Sequence, residues 1–260
     1  MSTSERQQVS QPRWGLSGSM LKWIAIITML IDHIGASVIE GYLMNTHGHS
    51  LYLGYSSMTY EQMMAWYSLD YVLRCIGRVS FPIFCFLLVE GFLHTRDVTK
   101  YALRLGLFCI ISEIPFDLAF WGEAFRWDYQ NVFFTLLLAL LGIWGMDYFR
   151  KKGKPILGGL CILGGAMLAE VLHTDYGAFG VALIAILYLF HDQKFLRTLF
   201  GAGVLLLYGG IEGFGAIGFL PISFYNGTRG RQPKYFFYVF YPVHLLILAG
   251  FGYWILPRIL

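Results

Sequence analysis

The chain has 260 residues, of which 57% are hydrophobic and 18% aromatic, while only 13% are charged. Soluble domains carry about 25% charged residues, so this composition excludes an ordinary soluble protein and predicts an integral membrane protein. The net charge of +3 is small, and we expect no nucleic-acid partner. The four cysteines lie in apolar segments without metal-ligand spacing, so neither a disulfide nor a metal site is expected.

Residues 1–19 form a polar tail without the layout of a cleavable signal peptide, and we predict one transmembrane domain over residues 20–260. The 196–222 segment is rich in glycine and is either one tilted span or two short spans that meet at Gly209-Gly210. Together the apolar segments predict an all-α transmembrane helix bundle of about nine spans, within a range of roughly eight to ten. They fall at 20–40, 70–93, 102–120, 132–149, 155–172, 176–190, 196–222 and 236–256.

Lysine and arginine alternate between the predicted loops. The N-terminal tail and the loops at 94–104, 150–154 and 194–197 are basic, whereas the 121–131 loop has a single arginine. Because cytoplasmic loops carry an excess of Lys and Arg, the alternation predicts a cytoplasmic N-terminus. The loop that holds Arg229, Arg231 and Lys234 is then cytoplasmic only if the 196–222 segment makes two spans.

The first span carries Asp32 and His33 well inside its apolar run. His33 lies about three helical turns, or about 16 Å, beyond Lys22. That puts His33 near the middle of a bilayer core about 30 Å thick if Lys22 marks one surface. A charged side chain at that depth costs at least ~2.5–3.5 kcal/mol on insertion scales, so it usually has a function or a partner.

The second and third spans place Arg78, Glu113 and Asp117 at a similar depth, and we expect them to converge with Asp32 and His33. One interpretation is a structural ion-pair network in which Glu113 or Asp117 neutralises Arg78. The other is a reaction centre or a transport pathway. In a reaction centre, His33 would be a general base oriented by one of those two carboxylates, because Asp32 points about 100° away around its helix. Arg78 would then stabilise developing negative charge.

Several blocks of this sequence, in this order, resemble the TraX family, which is named for the F-pilin acetylase of conjugation systems. The resemblance implies a multi-pass protein of the bacterial cytoplasmic (inner) membrane that moves acetyl from acetyl-CoA to pilin or another surface polymer. The first span is also similar to that of integral membrane acyltransferases, although Lys22 stands where those proteins commonly have Arg, and Arg74 and Arg78 are one residue further apart. The matching blocks are 21–35, 77–84, 90–92 with 94–96, 112–117, 131–136, 175–177, 224–227 with 229–230, and 238–245.

The resemblance implies roles for polar residues in and near these blocks. The expected catalytic residues are Asp32, His33, Arg78, Glu113 and Asp117, with His33 acting as a base or carrying the acetyl group. The residues expected to hold the phosphates of acetyl-CoA are Lys22, Arg96, Arg229 and Arg231, although Arg229 and Arg231 also suit a simple positive-inside anchor. The other expected site-lining residues are Arg74, Asn131, Asp175, Tyr176, Asn226 and His244. His244 suits a buried structural histidine equally well.

Two other classes of function remain open from the sequence. A proton- or ion-coupled transporter would also gather ionisable residues at the middle of the membrane. A non-enzymatic assembly factor for a surface structure would use the same buried charges only to hold the bundle together.

Overall fold

The structure is a computed structural model that describes residues 14–44, 59–231 and 236–258. These residues are almost entirely helical, and none of them belongs to a β-strand, which confirms the predicted all-α class. The α-helices are α1 (Gly18–His33), α2 (Tyr60–Gly77), α3 (Ser80–His94), α4 (Val98–Trp121), α5 (Val132–Lys151), α6 (Pro155–Val171), α7 (Gly177–Leu189), α8 (Lys194–Tyr208), α9 (Phe219–Ser223) and α10 (Phe236–Gly250). A π-helical segment (Ile34–Met44) extends α1, a 3₁₀ segment (Gly210–Gly218) precedes α9, and short π (Phe251–Ile255) and 3₁₀ (Leu256–Arg258) turns follow α10.

Polar N-cap residues define where several helices begin. Ser17, Thr59, Asp97 and Asn131 each accept a hydrogen bond from a backbone N–H of the following first turn. An N-cap side chain satisfies one of the N–H groups that a helix start leaves without an intrahelical partner. These caps separate the apolar runs of the sequence into distinct helices.

Helices α3 and α7 form the centre of the bundle. They contribute fully buried side chains such as Ile83, Phe86, Leu183 and Leu187, which the other helices enclose. Helix α4 instead leaves Leu103, Leu107 and Ile110 exposed along one face. A helix that is apolar both inside and outside the bundle is typical of a protein solvated by lipid.

Four of the described helical stretches are long and apolar enough to cross a membrane. Together with the exposed apolar face of α4, they identify a helical membrane protein. Helices α6 and α7 and the stretch Gly210–Ser223 are apolar but shorter. The count of about nine spans therefore stays a prediction. The four long stretches are Gly18–Gly41, Tyr60–His94, Val132–Lys151 and Phe236–Ile255.

The glycine-rich segment 196–222 is two segments rather than one long helix. Helix α8 ends at Tyr208, and Gly209 and Gly210 have φ angles of +86° and +55°, which favour glycine. The 3₁₀ segment and α9 then fold back along α8, so that the Phe219 ring packs directly on Gly201. The segment is therefore divided at Gly209-Gly210, as the second alternative expects, while the number of membrane spans in it stays a prediction.

The bundle has two ends, which we call the basic face and the opposite face. The basic face holds the start of α1, the end of α3, the α7–α8 turn and the loop 224–231. Tyr225 in that loop donates to Glu90 of α3 (2.9 Å), and the Gly18 N–H donates to the Thr228 carbonyl (2.8 Å). At the opposite face, the loop 122–131 meets the α6–α7 turn where the Gln130 N–H donates to the His173 carbonyl (3.0 Å).

Candidate functional site

A cavity of about 320 Å³ lies within the bundle, between α1, α2 and the ends of the helices near the opposite face. Six of the residues predicted for the site line it. Aromatic side chains form much of the remaining wall. The six predicted residues are Asp32, His33, Arg74, Arg78, Asp175 and Tyr176, and the aromatic members include Phe84, Phe116, Phe120, Trp121, Tyr129 and Tyr241.

Asp32 pairs with two arginines, one in α2 and one at the junction of α2 with α3. Arg74 Nη1 lies 2.7 Å from Asp32 Oδ2, and Arg78 Nη2 lies 2.8 Å from Asp32 Oδ1. The expectation that Glu113 or Asp117 would neutralise Arg78 is therefore wrong. Helix α1 can approach this closely because Gly77 has no side chain: a Cβ there would lie 2.1 Å from the Asp32 Cβ.

Arg78 has a second carboxylate partner that the sequence argument missed. Its Nη1 lies 2.8 Å from Glu212 Oε1 and also donates to the Tyr176 hydroxyl (3.1 Å). Glu212 belongs to the 3₁₀ segment that folds back along α8. Glu212 lies in an apolar stretch, as Asp32 does, and an unpaired carboxylate is costly in such a stretch. The same argument that identified Asp32 could therefore have identified Glu212.

Glu113 and Asp117 hold the loop 122–131 and do not line the cavity. The Asn131 side-chain amide donates to Glu113 Oε2, and the Arg126 backbone N–H donates to Asp117 Oδ2 (2.8 Å). Asn131, predicted to line the site, likewise serves this loop and caps α5. Neither carboxylate lines the cavity, although Phe116 and Phe120 of the same helix do, which corrects their predicted catalytic placement.

The loop that these carboxylates hold does reach the site. Its Tyr129 lines the cavity, and the Tyr129 hydroxyl donates to Asp175 Oδ1 (3.0 Å). Glu113 and Asp117 therefore act on the cavity indirectly, by fixing the loop that carries Tyr129.

His33 is oriented by a second histidine and not by a carboxylate. Its Nδ1 lies 2.6 Å from Nε2 of His244, and the two rings are nearly parallel, with centroids 4.9 Å apart. His244 Nδ1 lies 2.7 Å from the Phe240 carbonyl oxygen. The prediction that Glu113 or Asp117 orients His33 is wrong, and His244 belongs to the site as the neighbour of His33.

These contacts fix the protons of the two neutral rings. A carbonyl oxygen only accepts hydrogen bonds, so His244 Nδ1 carries the proton and His244 Nε2 is the acceptor. His33 Nδ1 must then be the donor between the rings. The nitrogen that remains, His33 Nε2, has a lone pair, and His33 is the member of the pair that lines the cavity.

Acidic side chains outnumber the arginines around the cavity. Glu40 and Asp175 join Asp32 in the wall, and Glu212 contacts Arg78 from behind it. Four carboxylates thus surround the two guanidinium groups of Arg74 and Arg78. Such a balance favours a ligand with positive charge over an anion.

The residues predicted to bind a cofactor lie at the basic face, away from the cavity wall. The Lys22 ammonium lies 5.1 Å from the centre of the Phe237 ring, and Arg96 is exposed in the α3–α4 turn. The loop of Arg229 and Arg231 is held to α1, because the Ser19 hydroxyl donates to the Arg231 carbonyl (2.6 Å).

Asn226, predicted to line the site, lies in the same loop at the basic face. Its side chain donates to the Gly15 carbonyl (3.2 Å) and accepts from the Thr228 N–H (3.0 Å). Asn226 therefore holds the loop 224–231 to the start of the chain and is not part of the cavity wall.

The fold and the cavity define a class of protein: a helical membrane protein with a charged, aromatic-walled site inside its bundle. The family model described as "TraX protein" matches residues 17–251, and the chain belongs to this family. It is also similar to a protein of Dichelobacter nodosus described as "Probable fimbrial assembly protein FimC, serogroup H1". The two are 30% identical over 260 residues, which cover 90% of this chain and 95% of that protein. No solved structure matches the chain.

Proposed function

We propose that this protein is a membrane-embedded acetyltransferase that moves an acetyl group from acetyl-CoA to a pilin-like or other cell-surface acceptor. The observation that carries the proposal is the position of His33 in the wall of a cavity that also contains Arg74 and Arg78, with its Nδ1 hydrogen-bonded to His244 so that Nε2 is left with the lone pair. Acyl transfer needs a basic or nucleophilic atom and a group that stabilises the negative oxygen of the tetrahedral intermediate. Both requirements are met by side chains of the same cavity.

Arg78 is well suited to stabilise that oxygen. It is held from two sides by Asp32 and Glu212, so its position is fixed before any substrate enters. Arg78 lines the cavity, and a preorganised donor is the kind of group that stabilises charge as it develops.

The phosphates and the acetyl group of acetyl-CoA would bind to different parts of the protein. The cationic side chains of the basic face, Lys22, Arg96, Arg229 and Arg231, match the phosphates of CoA, which Lys and Arg bind well. The cavity, at about 320 Å³, has room for the acetyl group and the reacting part of an acceptor.

The charge of the cavity also suggests the acceptor. Four carboxylates around two arginines favour an amine over an anionic group. The similarity to a protein named for fimbrial assembly supports an acceptor that belongs to a pilus. Acetylation would remove the positive charge of such an amine.

The test is the acetylation state of surface proteins from cells that make His33→Gln. We expect mass spectrometry to show loss of an acetyl group that is present with the natural protein. His94→Gln is the matched control, because the side chain of His94 is 70% exposed at the basic face. Unchanged acetylation in cells with folded His33→Gln would contradict the proposal.

A binding measurement separates the proposal from its alternatives. Purified protein in lipid should bind acetyl-CoA, whereas a transporter or an assembly factor has no reason to do so. Absence of binding would therefore reject the enzyme.

A further inference from the structure

We propose that His33 carries the acetyl group covalently on Nε2 and that His244, a positioning residue, accepts the proton that leaves His33 Nδ1. The inference rests on the proposed function and specifies how the site would perform it. It begins from the partner of His33, which is a neutral imidazole where a histidine base usually has a carboxylate.

A general-base role for His33 would place a cation on a ring whose hydrogen-bond partner is the neutral imidazole of His244. A histidine base becomes an imidazolium, which enzymes commonly stabilise with a carboxylate. The adjacent carboxylate, Asp32, is instead committed to Arg74 and Arg78.

Nucleophilic attack by Nε2 does not leave a positive charge on His33, because the proton on Nδ1 can pass to His244. His244 Nε2 lies 2.6 Å away and already accepts the hydrogen bond. Loss of the Nδ1 proton converts an acetylimidazolium into neutral acetylimidazole. The positive charge then moves from the cavity wall to His244, which is not among the residues lining the cavity.

His244 is placed to hold this charge. Its Nδ1–H donates to the Phe240 carbonyl (2.7 Å), and a charged imidazolium strengthens such a bond. Its ring also stacks on the Phe240 ring with centroids 4.7 Å apart. The face of an aromatic ring attracts a cation.

The two half-reactions balance. In the first, a bond forms between His33 Nε2 and the acetyl carbon, the carbon–sulfur bond breaks, and CoA leaves as a thiolate while the Nδ1 proton passes to His244. In the second, an acceptor amine attacks the acetyl carbon, and the bond to Nε2 breaks. His244 returns its proton to His33 Nδ1, and the proton lost by the amine accounts for the one that the thiolate takes up from water.

The test uses purified protein in lipid vesicles with unlabelled acetyl-CoA and isotopically labelled CoA, without any acceptor. A covalent acetyl carrier exchanges label between CoA and acetyl-CoA under these conditions. Acid-quenched protein should also yield a peptide with one acetyl group on His33. His244→Gln keeps a hydrogen-bond acceptor near the same place but cannot take the proton, so we expect exchange to fall by about 10²-fold or more. His94→Gln should exchange at the normal rate.

Each other result has a defined meaning. If the natural protein binds acetyl-CoA and supports acetylation in cells but shows neither exchange nor an acetylated His33 peptide, the carrier is rejected and the proposed function stands. If it does not bind acetyl-CoA, both are rejected. Normal exchange by His244→Gln would remove His244 from the mechanism. Should that variant fail to fold, His244→Asn and the acetylated peptide of the natural protein still decide the question.

Discussion

At the scale of single residues, Asp32 holds the site together. It is 7% exposed and receives hydrogen bonds from both Arg74 and Arg78. A buried charge whose partner is removed costs far more than the pair contributes in net stability. Loss of Asp32 would leave two guanidinium groups short of a partner, whereas loss of Glu212 would leave Arg78 still paired with Asp32.

We therefore predict unequal effects from neutralising these carboxylates. Asp32→Asn should lower the free energy of unfolding by about 3–5 kcal/mol. Glu212→Gln should lower it by about 1.5–3 kcal/mol, because a single charged hydrogen-bond pair is weakened. Asp128→Asn is the control, since it affects a solvent-exposed pair with Arg126 and should change the free energy of unfolding little. Equal losses for Asp32→Asn and Glu212→Gln, measured by denaturant unfolding in detergent, would contradict the assigned roles.

The sequence predicts which ionisable residues lie deep in the membrane but not which of them contact one another. Asp32, His33 and Arg78 were found because a charge far inside an apolar run is expensive. Depth fixes the position of a residue along the membrane normal only. It therefore does not distinguish the observed partners of Arg78, Asp32 and Glu212, from the expected ones, Glu113 and Asp117. That choice depends on how the helices are rotated and which of them pack together, and helical periodicity alone does not determine either.

At the scale of elements, the site depends on the close approach of α1 to the end of α2. Gly77 is buried and its position faces the Asp32 side chain. The 3₁₀ segment approaches in a similar way, because Gly215 lies against the Arg78 carbonyl and Gly218 against Pro82. These contacts let Asp32 and Glu212 reach Arg78 from two different elements. No local pattern in the sequence indicates such a contact, because it is made between segments far apart in the chain.

We predict that Gly77→Ala disrupts the site while a similar change elsewhere does not. The added Cβ would meet the Asp32 side chain at 2.1–2.5 Å, and overpacking of this kind costs about 1–3 kcal/mol. Gly203 in α8 is the control, because nothing lies within 4 Å of a Cβ at that position. Gly203→Ala should be neutral or add about 0.5–1 kcal/mol of stability. A Gly77→Ala protein with the natural unfolding free energy would rule out tight α1–α2 packing.

A second cluster joins three elements at the basic face. His191 Nε2 in the α7–α8 turn lies 2.5 Å from Glu90 Oε1 of α3, and Tyr225 of the loop 224–231 donates to the other oxygen of Glu90. The hydrogen bond to Glu90 raises the pKa of His191 above its ordinary value of 6.5, and Asp192 adds to the effect. The cluster therefore links α3 to the loop that carries Arg229 and Arg231.

The raised pKa of His191 predicts how stability depends on pH. Because the folded state binds the proton more tightly than the unfolded state, this contribution is complete below about pH 6.5 and is lost as pH rises through the folded pKa. The difference in melting temperature between the natural protein and His191→Gln should shrink as pH increases over that interval. A difference that grows with pH would have the wrong sign for a His191–Glu90 ion pair.

At the scale of the whole molecule, the positive charges are distributed unevenly between the two faces. The basic face and its neighbouring turns hold Arg96, Lys100, Arg150, Lys151, Lys152, Lys154, Lys194, Arg229 and Arg231. At the opposite face, the described loop 122–131 contains Arg126, which is paired with Asp128. Because the segment 196–222 doubles back on itself, the loop 224–231 returns to the start of α1, and its arginines lie at the basic face.

This separation predicts that the basic face lies in the cytoplasm, since cytoplasmic loops carry an excess of Lys and Arg. Ala124 and Lys152 are exposed at opposite ends of the bundle and report on it directly. In intact cells, a membrane-impermeant thiol reagent should label Ala124→Cys but label Lys152→Cys only after the membrane is opened. The unsubstituted protein measures the background from its own cysteines, of which Cys85 and Cys109 are buried. Labelling of Lys152→Cys alone in intact cells would indicate the opposite orientation, with the cationic residues on the side of the membrane without acetyl-CoA. Labelling of both would mean that the two faces are not on opposite sides of the membrane.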